Sequence, residues 1–328
     1  YTPDQPADFS GGSVQIKTKN FPDRFTVKLG MSTSFNSSSL FNDGFIRYDG
    51  GNRDWLGFDD GARELPKVAA NLLGDIMDGG RLPSDPADRI SVATSLRDKE
   101  LTFAPASFGD NPLNRSFDGS IGGRFDVFDD GEFGVFFAGT YSDTYQILAD
   151  EVERKWRTSA FKDETADLAV PNVDYTFTRG TRNIGWGTLT SLTLKPTPTQ
   201  QISLRANVNL NTDDEGRTYS GENGEDIGGI IRNERSRFVQ RLMTWGQLSG
   251  EHLLFLDSRL DWRVTRARAD RDEPFLRETI YVLDERDDVY RLLDFTESGR
   301  YFWSELIDDE ILSLIHISEP TRPILVSR

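Results

Sequence analysis

Apolar and polar residues alternate along much of this chain. From Phe25 the apolar positions are Phe25, Val27, Leu29 and Met31, with Thr26, Lys28, Gly30 and Ser32 between them. The same period returns at Phe117, Ile121, Phe125 and Val127, at Phe133, Val135, Phe137 and Tyr141, and at Ile184, Trp186, Leu192 and Leu194. It is cleanest at Ile202, Leu204, Ala206, Val208 and Leu210, noisier from Phe238 to Leu248, and ends at Leu260, Trp262 and Val264. A period of two predicts strands with one oily face. There are about seven, and Ser203, Arg205, Asn207 and Asn209 mark the polar face of the cleanest.

The connections alternate as well. Asp129-Asp130-Gly131-Glu132, Pro196-Thr197-Pro198-Thr199 and His252 to Ser258 are short; 36–114, 149–182, 213–236 and 271–300 are long and polar. Short turns at one end and long loops at the other predict an all-β fold, a partial transmembrane antiparallel β-barrel with long extracellular loops. The alternative on pattern alone is a soluble antiparallel β protein. In the first loop Leu65, Val68, Ala69, Leu72, Leu73 and Ile76 form one helical stripe,. Pro66 suits its first turn and Gly79-Gly80 its end,. A second short helix is expected after Ser84-Asp85-Pro86, to about Arg97.

Composition narrows the chemistry. Of 328 residues 54 are acidic and 38 basic, a net charge of −16, which argues against a nucleic-acid partner,. With no Cys and two His, thiol chemistry and multi-His metal centres are excluded,. No apolar run is long enough for a membrane helix, which leaves a β-barrel open.

Residues 8–19 read DFSGGSVQIKTK, a Gly-Gly turn feeding a short strand: Asp8, Phe9, Ser10, Gly11 and Gly12, then Val14, Ile16, Thr18 and Lys19. Placed just before the first alternating strand, this resembles the end of the plug domain of TonB-dependent outer-membrane receptors. The stretch FPDRFTVKLGMSTSFNS resembles the first barrel strand of that family, and YDGGNRDWLGFDDGARELP (48–66) resembles a loop of a large subgroup. The resemblance implies a plugged 22-stranded barrel, of which about seven strands are present here. It divides the chain into the plug end (1–20) and the N-terminal part of the barrel (21–311). It also implies residence in the outer membrane of a diderm bacterium, in contact with lipid and lipopolysaccharide. The work would come from the TonB complex, whose contact segment is not in this sequence. An extracellular ligand such as a siderophore, oligosaccharide or vitamin is imported; no enzymatic activity and no cofactor are implied. A passive porin or structural barrel, or a secreted β-rich binding protein, are the competing classes. The stretch LSLIHISEPTRP breaks the style of the rest and resembles the in-frame translation of a sequencing adapter. Residues 312–328, His316 among them, are therefore set aside as a non-native tail.

Tyr48, Trp55, Phe58, Asp59 and Asp60 form an aromatic and acidic set in the first loop, the candidate ligand-facing residues. Asn211, Asp213, Glu215, Gly216 and Glu222 match the spacing of a calcium loop, although their flanks read as strand,. Arg263, Arg266, Arg268 and Arg271 form a basic cluster; Arg266 and Arg268 are expected near the outer rim, against lipid phosphates. The carboxylate pairs Asp59-Asp60, Asp129-Asp130, Asp213-Asp214 and Asp287-Asp288 read as solvated turns or loops.

Overall fold

The structure, a computed structural model, describes residues 21–40, 42–73, 83–107, 111–157, 170–254, 258–293 and 299–318. The plug-like segment Asp8–Lys19 and residues 319–328 lie outside the described residues.

Every alternating segment is a strand. In chain order these are β1 (Thr26–Ser34), the two-residue β2 (Ile46–Arg47) and β3 (Ala106–Ser107), β4 (Asn114–Val127) and β5 (Gly131–Arg157). Then come β6 (Val170–Thr197), β7 (Gln200–Asn223), β8 (Gly229–Leu253), β9 (Arg259–Asp284), β10 (Val289–Leu292) and β11 (Gly299–Ser318). One antiparallel sheet runs β1-β4-β5-β6-β7-β8-β9, and β9 offers its outer edge to β10 at one end and to β11 along the rest. The sheet is open, with β1 at one edge and β10 and β11 at the other, as expected of part of a barrel. β2 pairs with β3 as a separate small ribbon.

Register turns the separate alternations into one surface. Residues opposite each other across a strand pair share a face. One row reads Phe125, Phe133, Leu194, Ile202, Gly250, Trp262, and the next Gly123, Val135, Leu192, Leu204, Leu248, Val264. The following rows begin Val27, Ile121, Phe137 and Leu29, Gly119, Gly139, and end on β9 at Arg266 and Arg268. A fifth reads Met31, Phe117, Tyr141, Trp186, Leu210, Leu242, and ends at Asp270. A slip of one residue on any strand would send its oily set to the other face, so seven matching alternations specify the pairing. Bulky apolar side chains of this face stand exposed, Leu29 at 86% and Met31 at 73%. The polar face is different at its base. Phe21 lies over Gly134, where a Cβ would meet its ring at 2.0 Å, and Pro22 lies over Gly122.

Three of the four expected loops are largely strand. β5 and β6 reach Arg157 and Val170, β7 and β8 are joined by residues 224–228 alone, and β9 continues to Asp284. Their charges read as solvated loop, yet they meet across strands as ion pairs: Arg235 with Glu215 at 2.8 Å, Arg237 with Glu273 at 2.7 Å and Arg217 with Glu278 at 3.2 Å,. Asp213 and Asp214 are accordingly strand residues, whereas Asp129-Asp130 and Asp287-Asp288 do sit in turns. β11 is an eighth long strand that the alternation did not reveal. Its last residues, 312–318, belong to the segment set aside as a tail and pair with Thr265–Arg259. Such main-chain pairing is what an open sheet edge offers to any β-prone segment.

The first loop holds α1 (Lys67–Leu73) and α2 (Pro86–Phe103), which pack together with Ala69 and Val92 buried. α1 begins where the stripe and Pro66 place it; residues 74–82, which carry Ile76 and the expected Gly79-Gly80 end, lie outside the described residues. α2 starts as expected, with Asp85 accepting from the Ala87 N–H at 2.8 Å and Pro86 in the first turn, and runs on to Phe103,.

Candidate functional site

The loop residues 45–63 fold down onto the far half of the oily face. Gly180 on β6 and Gly216 on β7 are opposite one another and form a flat saddle. The β2 backbone crosses it: a Cβ on Gly180 would lie 2.1 Å from the Ile46 carbonyl oxygen, and one on Gly216 2.9 Å from the Arg47 Cα. Beside the saddle Phe45 packs edge-on to Tyr145, with Ile147 completing a buried cluster.

A short 3-10 turn (Asp54–Leu56) then presents three consecutive carbonyls to the sheet. The Tyr141 hydroxyl donates to Trp55 O at 2.7 Å, Trp186 Nε1 to Leu56 O at 3.1 Å, and Thr212 Oγ1 to Gly57 O at 2.7 Å. Gly57 closes the turn at φ 78°, a conformation that suits a residue without a Cβ,. Phe58 packs against Trp186, ring centroids 5.9 Å apart, and the Asp59 N–H donates to Gln240 Oε1 at 3.0 Å.

Arg63 holds the loop together from inside. Its side chain is fully buried, with Nη2 2.5 Å from Asp54, Nη1 3.0 Å from Asp59, and Nε donating to the Tyr48 hydroxyl at 3.2 Å. Its guanidinium stacks 3.9 Å from the Phe238 ring centre, and its carbonyl accepts from Trp303 Nε1 at 3.0 Å. Burial works against the charge, and the acidic groups around it, Tyr48, Asp54 and Asp214 among them, outweigh that and hold Arg63 protonated,. Burial likewise pushes the Tyr48 phenol well above its ordinary value. Asp214, roofed by the loop, is pushed up to about 6, first by desolvation and then by Asp54, with Arg63 pulling the other way.

The five expected ligand-facing residues are thus brought into one structural unit with divided roles. Tyr48 and Trp55 line a cavity of about 220 Å³ between loop and sheet, together with Phe45, Arg182 and Asp214. Of Tyr48 and Trp55, the latter is the exposed one, at 52%. Phe58 and Asp59 face the sheet and Arg63. Asp60 accepts from the N–H groups of Asn52 at 2.8 Å and Ala62 at 3.3 Å, and the Asn52 bond leads in holding its pKa below the carboxylate norm. Arg63 and Arg182 are not singled out by the sequence, and Asp214 reads there only as half of a solvated pair, whereas the loop desolvates it. Arg182 donates to Asp143 through Nε at 2.8 Å and Nη2 at 3.0 Å. The one readable signal was Arg63, four residues after Asp59 in the quoted stretch.

The other candidates are spent on structure. The calcium-like set lies on the straight strand β7, Asn211, Asp213 and Glu215 on one face and Gly216 and Glu222 on the other,. Eleven extended steps separate Asn211 from Glu222 by about 36 Å, so these oxygens do not converge. Asp213 instead pairs with Arg241 at 2.6 Å. Among the described residues no group of three or more His, Asp or Glu could hold a metal. In the basic cluster Arg266 and Arg268 lie not at an outer rim but in the third and fourth rows of the oily face, opposite Gly246 and Thr244. There Arg266 pairs with Asp309 at 2.6 Å and Arg268 with Asp270 at 2.8 Å; Arg271, on the other face, pairs with Glu273. His252 accepts from Trp262 Nε1 at 3.0 Å beside the β8–β9 turn. No family model, no curated protein and no solved structure matches the chain.

Proposed function

We propose that this chain is part of a TonB-dependent outer-membrane receptor, which imports a ligand with work supplied through TonB. The observation that carries the membrane part is the set of five in-register rows. Four intervals of two residues span about 27 Å along the strands, or roughly 20 Å across a bilayer at a barrel's tilt of ~40°. Aromatics border this band on both sides: Phe125, Phe133 and Trp262 in the row nearest the short turns, Phe117, Tyr141 and Trp186 in the farthest. Gly, Ala, Thr and Val fill much of the middle from β1 to β8, which is the arrangement of a lipid-facing belt with interfacial girdles. On β9 the two middle rows end in Arg266 and Arg268, each neutralised by an aspartate, Asp309 and Asp270. The short β4–β5, β6–β7 and β8–β9 connections lie at one end; the β7–β8 and β9–β10 turns at the other end, residues 224–228 and 285–288, are short as well. The receptor part is supported by the resemblance of residues 8–19 and by the entry of Phe21 and Pro22 across the polar face, where a plug would sit.

The test is to express this reading frame with its flanking gene sequence in a diderm host, fractionate the membranes and follow ligand uptake. An outer-membrane protein whose uptake stops when TonB is deleted supports the proposal. TonB-independent flux would replace it with a passive porin, and recovery as a soluble monomer with a secreted binding protein.

A further inference from the structure

A second concavity lies on the opposite, polar face, at the end of the sheet where residues 224–228 join β7 to β8. Its volume is about 650 Å³, within the range of small-molecule sites,. On β6 Val173, Tyr175 and Phe177 stand on this face; on β7 their partners are Asn223, Gly221 and Tyr219. This is the side of β7 that carries Arg205, Asn207 and Asn209 lower down. The three rings form one wall: Tyr175 to Tyr219 at 4.8 Å, Phe177 to Tyr219 at 4.6 Å, Tyr175 to Phe177 at 6.1 Å. Val173 and Ile231 are buried beneath, and Ile227 and Ile280 pack against them.

The charges at this cavity are unevenly matched. Arg217 stacks on the wall, 5.4 Å from the Tyr219 ring centre, and donates to Glu278. Lys155 pairs with Glu225 at 3.3 Å. Both bases are therefore engaged. Glu153 and Asp226, exposed at the mouth, have no ion pair among the described residues. Their fields meet on one group: burial first, then Tyr219, Glu153 and Asp226 drive the Tyr175 phenol up to about 12, against the Asn223 hydrogen bond.

We propose that this cavity binds an organic cation with an apolar body, the body on the aromatic wall and the positive group between Glu153 and Asp226. An apolar floor takes hydrocarbon, two uncompensated carboxylates need a counter-charge, and a chain of net charge −16 concentrates cations at its surface,. A neutral sugar would use the wall and leave the carboxylates unmatched. The proposal rests on the receptor reading only for the side from which the ligand arrives.

The experiment is calorimetric titration of the whole chain in non-ionic detergent with two probes of one shape, the dicationic dipeptide Trp-Lys amide and the neutral N-acetyl-Trp-Gln amide. The expected result is about tenfold tighter binding of the dication, falling to near parity in the Glu153→Gln/Asp226→Asn double variant. Both substitutions are at exposed positions, so folding is retained. Tyr219→Ala should weaken both probes, while Tyr219→Phe keeps the wall and should keep binding. Equal affinity for the two probes, an unchanged preference in the double variant, or no binding of either at millimolar concentration overturns the proposal. The preference persisting in a chain that fractionates away from the outer membrane would sink the receptor reading and leave this one standing.

Discussion

The two halves of the oily face are built by the same strands; one stands exposed and the other is covered by the first loop. Near the short turns Ile121, Leu204, Leu248 and Val264 stand exposed. Farther along, Ile184, Leu210, Thr212 and Phe238 are covered almost completely by the first loop. Alternation announces that a face is meant to be covered, and the polar groups on it say by what. On the reading proposed above the exposed half faces lipid, which accepts no hydrogen bond. Through β8 its side-chain donors are threonine hydroxyls, and Arg266 and Arg268 on β9 are ion-paired. A folded loop brings backbone carbonyls, and Tyr141, Trp186 and Thr212 are placed to meet three of them. The changeover falls at the Tyr141–Trp186–Leu210 row, whose aromatic members have an apolar body and a polar tip.

The sharpest way to break the comparison is to unpin one half alone. Arg63→Met leaves Asp54 and Asp59 buried without their cation, which costs about 3–5 kcal/mol. Hydrogen exchange should show residues 45–63 opening while the rows below Trp186 keep their protection. Protection lost evenly across the sheet would mean that the halves are not independent. The converse is Leu204→Arg, a charge in the middle of the exposed half. If lipid covers that half, insertion into vesicles should weaken by about 2–4 kcal/mol, with Asn207→Arg on the other face nearly silent. Equal effects from the two substitutions would count against a lipid neighbour.

How much of this was legible follows from what each half is made of. The exposed half is homogeneous, so period two gave its strands and faces directly. The far half mixes charge with aromatics. Arg217, Arg235 and Glu278 looked like loop because their partners lie on other strands, a pairing that no local window contains. The Gly180–Gly216 saddle was invisible for the same reason: each glycine is ordinary alone, and their meaning appears when register sets them opposite. The site was half legible. Tyr48 and Trp55 do line a cavity, but Phe58 and Asp59 turned out to be packing and pairing residues. The cleft walled by Tyr175 and Tyr219 lay in segments read as loop.

A smaller effect sharpens the comparison at the loop's hinge. Gly57→Ala forces a Cβ into a left-handed backbone, 2.9 Å from both Leu210 Cδ2 and Thr212 Oγ1. The cost should be about 1–3 kcal/mol. Trp fluorescence should report it, since Trp55 and Trp186 bracket the turn. An unchanged spectrum and unchanged protection would show that the three carbonyl contacts do not hold the loop.

Asp214 gives the mildest handle, because it acts through pH without any change of sequence. Its pKa with the loop docked is about 6, above the ordinary carboxylate value near 4,. Between those values the docked form holds a proton that the undocked form has released. The stability that this proton contributes is complete below about pH 4 and is lost as pH rises through 6. Arg63, Arg182, Tyr48 and Asp54 face the same carboxyl, and the two arginines stay charged throughout this window. Docking of residues 45–63 should therefore weaken from pH 4 to pH 7, read as exchange of the Asp59 and Arg63 amides after correction for the intrinsic rate. Asp214→Asn, which cannot ionise, should flatten that profile. A slope that survives the substitution would assign it to other carboxylates, and docking that strengthens with pH would mean that Arg63 stabilises the Asp214 anion more than burial penalises it.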